Sequence, residues 1–264
     1  MKRIVLTALD YGTAFGVDRA IRALLADNRL TAVGCIAASD RWPREYLPLR
    51  DQVETVARRT RVGLTLVLSR PYAPISDPAR EALGPRFPAP RFYSLRAPLG
   101  LLPNMALKAE IEAQLDRFQD YYGHPPAFIA LADGLDGNAG VAKLVVEVMA
   151  ERYREDWPDF LFREPERLRS RLLARRIRKL GGDTNREAVT LPMVEDPKAL
   201  HRFFWRGLEG RRDGTSVWCV PAQADEHLRS LATRAEIAGR ESQFAYLDSP
   251  DFLLALTEKD IFLF

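Results

Sequence analysis

Three aspartates are the residues of this chain best placed, by type and local context, to do chemistry. Asp10 follows the apolar run RIVLTAL, and Asp133 and Asp136 follow PAFIAL, so each lies where a buried strand gives way to a turn. Two carboxylates in one pocket split their pKa values and can share general acid–base work, and Asp10 with Asp136 is the pair to test. Three carboxylates suit a hard cation, Mg²⁺ or Ca²⁺, whereas Zn²⁺ prefers nitrogen and sulfur. The competing structural reading is local: Asp133, Asp136 and Asn138 form Asx turns and cap a helix that begins near Gly140.

Other reactive side chains offer less. His124 sits at a helix–strand turn, and His201 and His227 lie in or at the start of helical stretches, with no spacing that makes them converge. Cys219, in VWCVP, is in an apolar context without a neighbouring base and reads as a buried structural thiol. The segment GTAFG lacks the G-x-G-x-x-G order, so no dinucleotide site is expected, and Gly12 and Gly16 read as tight-turn glycines. GLTLVL, Gly63 to Leu68, ends in the loop SRPYAPISDP and brings only Thr65 and Ser69 to its mouth.

The elements that must position these residues alternate. Strand-like runs RIVLTAL, TAVGCIAA, VGLTLVL, PAFIAL, WPDFLF, GTSVWCVP and IFLF are separated by segments of helical spacing. The second helix runs towards Arg61, with Pro48 setting or resetting its start. The helix before WPDFLF reaches Glu155. Residues 69–104 hold eight prolines and little periodicity, which reads as an irregular lid or binding loop. This pattern predicts an α/β fold: one (β/α) barrel, TIM-like or irregular, of seven or eight parallel strands, formed by residues 1–264 as a single domain with 69–104 over the C-terminal mouth. Tyr11, Trp42, Tyr72 and Asn104, near strand ends or in the loop, are candidates to line the pocket with Thr65 and Cys219.

Composition sets the outer limits. The chain has 264 residues, 47% of them hydrophobic, enough for a sizeable core. A net charge of +3 gives no reason to expect nucleic acid. Two distant cysteines, no signal-peptide pattern and no long apolar run make the cytoplasm the expected compartment. One local charge excess stands out: Arg163 to Lys179 carries eight arginines and lysines against two glutamates. It reads as the solvated face of an outer helix, or as a contact for an anionic membrane surface or an acidic protein.

The order of motifs resembles the YdjC-like carbohydrate deacetylases, including the chitooligosaccharide deacetylases and the hopanoid-associated branch. The resemblance runs nearly end to end. TALDYG stands where that family has a strand ending N-A-D-D-F-G, and GLTLVL where it has G-x-H-L-x-L. Glu110, Gln114 and Phe118 match its E-x-x-x-Q-x-x-x-F helix. PAFIALADGLD replaces its histidine-rich stretch, WCVPA its late C/M-x-H-P signal, and AGRESQFAYLDSPDF its C-terminal helix. The resemblance implies an acid as general base, a second acid as metal ligand, and two histidines completing a metal site.

The chemical positions have changed. Leu9 takes the first Asp position and Asp10 the second. Thr65 replaces the histidine of the third strand, Phe128 and Ala130 the H-x-D pair, Ala132, Gly134 and Asp136 the later histidine-rich positions, and Val220 the late histidine. Leucine cannot be a base and threonine is a poor divalent-metal ligand. The expectation is therefore a pseudoenzyme with a degenerate site, without metal, that binds a sugar or glycolipid. Altered carboxylate chemistry on a carbohydrate-like substrate and surviving N-deacetylation are the alternatives.

Overall fold

The chain begins with a ten-residue strand, β1 (Lys2–Tyr11), whose middle is buried. In the computed structural model, residues 1–264 are described except Ala57, Arg58, Arg59 and Arg154. After β1 come α1 (Phe15–Ala26), β2 (Ala32–Cys35), α2 (Trp42–Thr55) and β3 (Arg61–Leu66). Then follow α3 (Asp77–Leu83), α4 (Pro90–Arg96), α5 (Asn104–Tyr122), β4 (Phe128–Leu131), α6 (Ala139–Arg152), β5 (Asp159–Leu161) and α7 (Leu168–Lys179). The last third holds β6 (Ala188–Thr190), α8 (Pro197–Arg202), β7 (Thr215–Cys219), α9 (Glu226–Leu231), α10 (Arg234–Asp248), α11 (Pro250–Glu258) and β8 (Ile261–Leu263). Parallel strands alternating with helices make this the α/β, (β/α) barrel type of fold that the sequence pattern predicts.

The residues group into two compact units. The first comprises Met1–Gly34, Arg44–Val62 and Arg186–Phe264. In it β1 pairs in parallel with β7, from Ile4 opposite Thr215 to Ala8 opposite Cys219, and with β8 at its start. β6 continues the ladder beyond β7. Every residue of β7 is buried, which is why it reads as a continuous run rather than an alternation. Helix α10 opens with a capping box, Thr233 with Glu236, that satisfies the first free N–H groups.

Gly16 belongs to α1, and a Cβ there would lie 1.8 Å from the Gln223 carbonyl oxygen. The residue is needed for close backbone approach, since Gln223 N–H donates to the Gly16 carbonyl at 3.0 Å. Gly12, at φ 97°, is the true turn glycine.

The second unit comprises Cys35–Pro43 and Gly63–Asn185. Here β3, β4 and β5 pair in parallel, with Thr65 opposite Ala130 and Ala130 opposite Leu161. Helix α5 buries Leu107, Ile111, Leu115 and Phe118 together with Glu110 and Gln114. Gln114 bonds both backbone groups of Val67, at 3.1 and 2.8 Å. Glu110 accepts from Ile75 N–H, Ser76 N–H and the Ser76 hydroxyl, each within about 3.0 Å. The four-residue spacing of Glu110, Gln114 and Phe118 thus fastens the loop after β3 to the helix.

Two expectations need correction, and the strand count falls at the upper of its two expected values. Residues 69–104 are only partly irregular: they contain α3, α4 and a 3₁₀ turn, Ala97–Leu99. Pro78, Pro90 and Pro98 sit in the first turns of these short helices, where a missing N–H costs nothing, so three of the eight prolines that suggest a loop are helix starts. A strand of three residues, β6, is too short for periodicity to register and raises the count to eight. Helix α2 begins at Trp42 and passes through Pro48; its extension towards Arg61 lies partly outside the described residues, as does Arg154 beyond the end of α6.

Candidate functional site

In the first unit the focus is the end of β1. The Asp10 carboxylate forms an ion pair with Arg240 from α10; the side chains are only 13% and 17% exposed. Arg240 also donates to the Val220 carbonyl at 3.4 Å. One turn on, Gln243 accepts Val220 N–H at 2.8 Å and donates to the Leu191 and Pro192 carbonyls. Helix α10 therefore holds the segment after β7 and the carboxylate at the end of β1 through a single polar face. Asp10 Oδ1 is buried and takes no hydrogen bond from the described residues.

Cys219 lies alongside, its thiol directed at the Thr7 carbonyl at 3.5 Å. Burial, with the Asp10 charge adding to it, pushes the thiol pKa well up, so the sulfur stays protonated. Tyr11 is fully buried. Its hydroxyl donates to the Glu45 carbonyl at 2.8 Å and accepts from Arg22 at 2.7 Å.

In the second unit a cleft of about 480 Å³ opens beside the turn after β4. Its lining includes Asp133, Asp136 and Glu164, Arg163, Arg167 and Arg169, and on another side Ser94, Ala97 and Pro98. The turn Ala132–Gly137 is bent through left-handed conformations at Asp133 (φ 54°) and Gly134 (φ 69°), which aspartate and glycine tolerate. Asp133 accepts from the Ser69 hydroxyl, joining the ends of two neighbouring strands. Asp136 is buried, and its Oδ2 accepts the Arg163 backbone N–H at 2.7 Å. Burial raises its pKa, opposed by that N–H and by the Arg163 charge. Asn138 caps α6 by accepting from Gly140 and Val141 N–H at 3.1 and 3.2 Å.

Asp133 and Asp136 thus share one cleft, whereas Asp10 belongs to the other unit. Thr65 is buried within β3. Trp42 is fully buried, stacked on Phe118 at 5.5 Å, with its indole N–H donating to the Arg117 carbonyl. Tyr72 packs against Ile36, Ala38 and Val67, and Asn104 is an exposed first residue of α5. Sequence reasoning gave Arg240 no role, and took the cleft arginines as part of the basic stretch Arg163 to Lys179 rather than as pocket lining. For Arg240 the available signal was polar residues three apart, Arg240 and Gln243, on a helix beside the buried Gly239.

The resemblance implies a metal, and this donor set does not fit one. Among the described residues no three histidine, cysteine, aspartate or glutamate side chains are placed to hold an ion. At the positions of the implied histidines stand a hydroxyl, Thr65, and an alkyl group, Val220, while Asp10 already faces a guanidinium.

The family model described as YdjC-like protein matches residues 3–258. No curated protein matches the chain. Among solved structures, a protein assigned to cellobiose-phosphate cleavage, from Enterococcus faecalis V583, superposes with a TM-score of 0.79 at 16% identity, covering 100% of this chain and 97% of that one. A family 4 carbohydrate esterase from Streptomyces lividans, in complex with acetate, gives 0.52 at 10% identity over 99% and 91%. At such identities the likeness is one of fold.

Proposed function

Because this chain belongs to the YdjC-like family, whose fold is of the carbohydrate-deacetylase type, we propose that it binds a sugar or glycolipid headgroup without metal-dependent deacetylation. The observation that carries this reading is the ion pair of Asp10 with Arg240. Metal-assisted amide hydrolysis needs an ion that polarises the carbonyl and acidifies a water, together with a base near neutral pKa. A guanidinium supplies fixed positive charge, but it has no open coordination position and gives up no proton at neutral pH. Asp10 is committed to that charge, and Leu9 beside it carries no proton acceptor.

The ligand seat in this reading is the cleft of the second unit. Its size falls within the range of about 300–1,000 Å³ usual for small-molecule sites. Carboxylates of Asp133, Asp136 and Glu164 accept hydroxyl protons, and the arginines, Ser94 and Asn138 donate. To test this, the protein is incubated with N-acetylated amino-sugar oligomers and a glycolipid extract, and acetate release and melting temperature are measured together. The expected result is a thermal shift without acetate, lost in Asp136→Ala. Acetate release that disappears in Asp10→Ala overturns the reading in favour of surviving N-deacetylase activity.

A second reading, altered carboxylate chemistry, is favoured by Asp136 itself. A buried carboxyl with a raised pKa next to Asp133, in one cleft, is the pattern of a general acid beside a general base. Turnover of a sugar substrate without acetate, abolished separately by Asp133→Asn and Asp136→Asn, would support this reading over binding alone.

A further inference from the structure

Helix α7 turns an unusual face to solvent. Its inner side is Ser170, Ala174 and Ile177, spaced four and three apart. At 3.6 residues per turn the opposite side is centred on Leu168 and Leu172, with Arg171, Arg175, Arg176 and Lys179 around them. Those leucines are 72% and 55% exposed. The helix carries six basic residues and no acidic one, and among the described residues none of the six forms an ion pair with a carboxylate. A helix whose only task is solvation needs the arginines and not the leucines.

A second apolar element borders the same cleft. Leu95 and Leu99 are each 69% exposed, and Leu101 and Met105 follow them into solvent. This segment lines the cleft through Ser94, Ala97 and Pro98, and the α7 side lines it through Arg167 and Arg169. Both groups of exposed leucines thus belong to segments whose neighbouring residues line one opening, and apolar side chains so exposed are ones that water does not favour.

We infer that this face docks on an anionic lipid surface, the leucines entering the headgroup layer and the arginines pairing with lipid phosphates. The charge complementarity argues for this occupant. Guanidinium groups bind phosphate bidentately, and leucine burial adds an apolar contribution. An acidic protein would use the cations but gives no reason for Leu168 and Leu172 to stand at the centre of their face. The inference does not depend on the ligand of the cleft.

Vesicle flotation tests it, using phosphatidylcholine alone and phosphatidylcholine mixed with phosphatidylglycerol. The full chain is expected to float with the anionic vesicles at low salt, not with the neutral ones, and to detach at high salt. Each arginine near the surface contributes roughly fivefold to partitioning, so the variant R171Q/R175Q/R176Q should lose roughly a hundredfold. Because the leucines enter only the headgroup layer and are partly buried there, the variant L168S/L172S should lose at least roughly tenfold. Both sets of side chains are exposed, and an unchanged melting temperature confirms that the variants fold. Absence of flotation at low salt overturns the inference. So does wild-type flotation by L168S/L172S, which would leave the leucines outside the contact and reduce it to charge attraction alone.

Discussion

Replacing Arg240 with methionine leaves the Asp10 carboxylate buried with no cation beside it. Removing one partner of a fully buried ion pair costs about 3–5 kcal/mol, chiefly from the stranded charge. Here the side chains are 13% and 17% exposed, so partial solvation lowers the expected cost to about 2–3 kcal/mol. The lost bond to Val220 is long, 3.4 Å, and adds little. For a chain of this length that corresponds to a fall of roughly 4–12 °C in Tm. Asp10→Leu should cost a similar amount, because it strands the guanidinium. The double variant D10L/R240M removes both charges and should be much more stable than the sum of the single losses predicts, by about 1–3 kcal/mol of coupling. Urea unfolding followed by tryptophan fluorescence and by far-UV circular dichroism measures all four proteins. Additive losses would refute the argument, since they would mean that the two groups do not depend on each other. An unchanged stability in R240M would refute it more directly.

Asp136→Asn keeps an acceptor for Arg163 N–H while removing a carboxylate whose pKa burial has raised. A folded-state pKa above the ordinary 3.8 means that the wild type carries no penalty below that value and loses stability as pH rises through the raised one. The variant should therefore gain on the wild type with increasing pH, and a parallel pair of Tm-versus-pH curves would contradict this. Glu110→Ala removes an acceptor shared by Ile75 N–H and Ser76, and should cost at least about 3 kcal/mol. It should also speed proteolysis between Asp77 and Leu101; an unchanged cleavage rate there would disconnect Glu110 from that segment. Elemental analysis of protein purified without chelator should give substoichiometric Zn²⁺, Co²⁺ and Ni²⁺. One equivalent of any of them would require ligands other than those recognised here.

The parts legible in the sequence were those encoded by short-range spacing. Buried parallel strands announce themselves as apolar runs, and a helix that must bury Glu110, Gln114 and Phe118 on one side repeats them every four residues. The exchange of implied histidines for Thr65 and Val220 is visible by position alone, as is the excess of arginine in α7. Spacing misled where an element was too short to repeat its period and lacked an apolar run, as with β6, or where prolines that begin helices resembled those of a loop, as with α3 and α4. What occupies the Asp10 carboxylate lay beyond any local pattern, because its partner is 230 residues away. Likewise Ser69 and Asp133, 64 residues apart, meet only because β3 and β4 run in parallel and end together. Helix and strand identity follow from interactions between near neighbours, which repeat at a fixed period. The environment of a charge depends on which strand ends the fold brings side by side, and only the tertiary structure decides that.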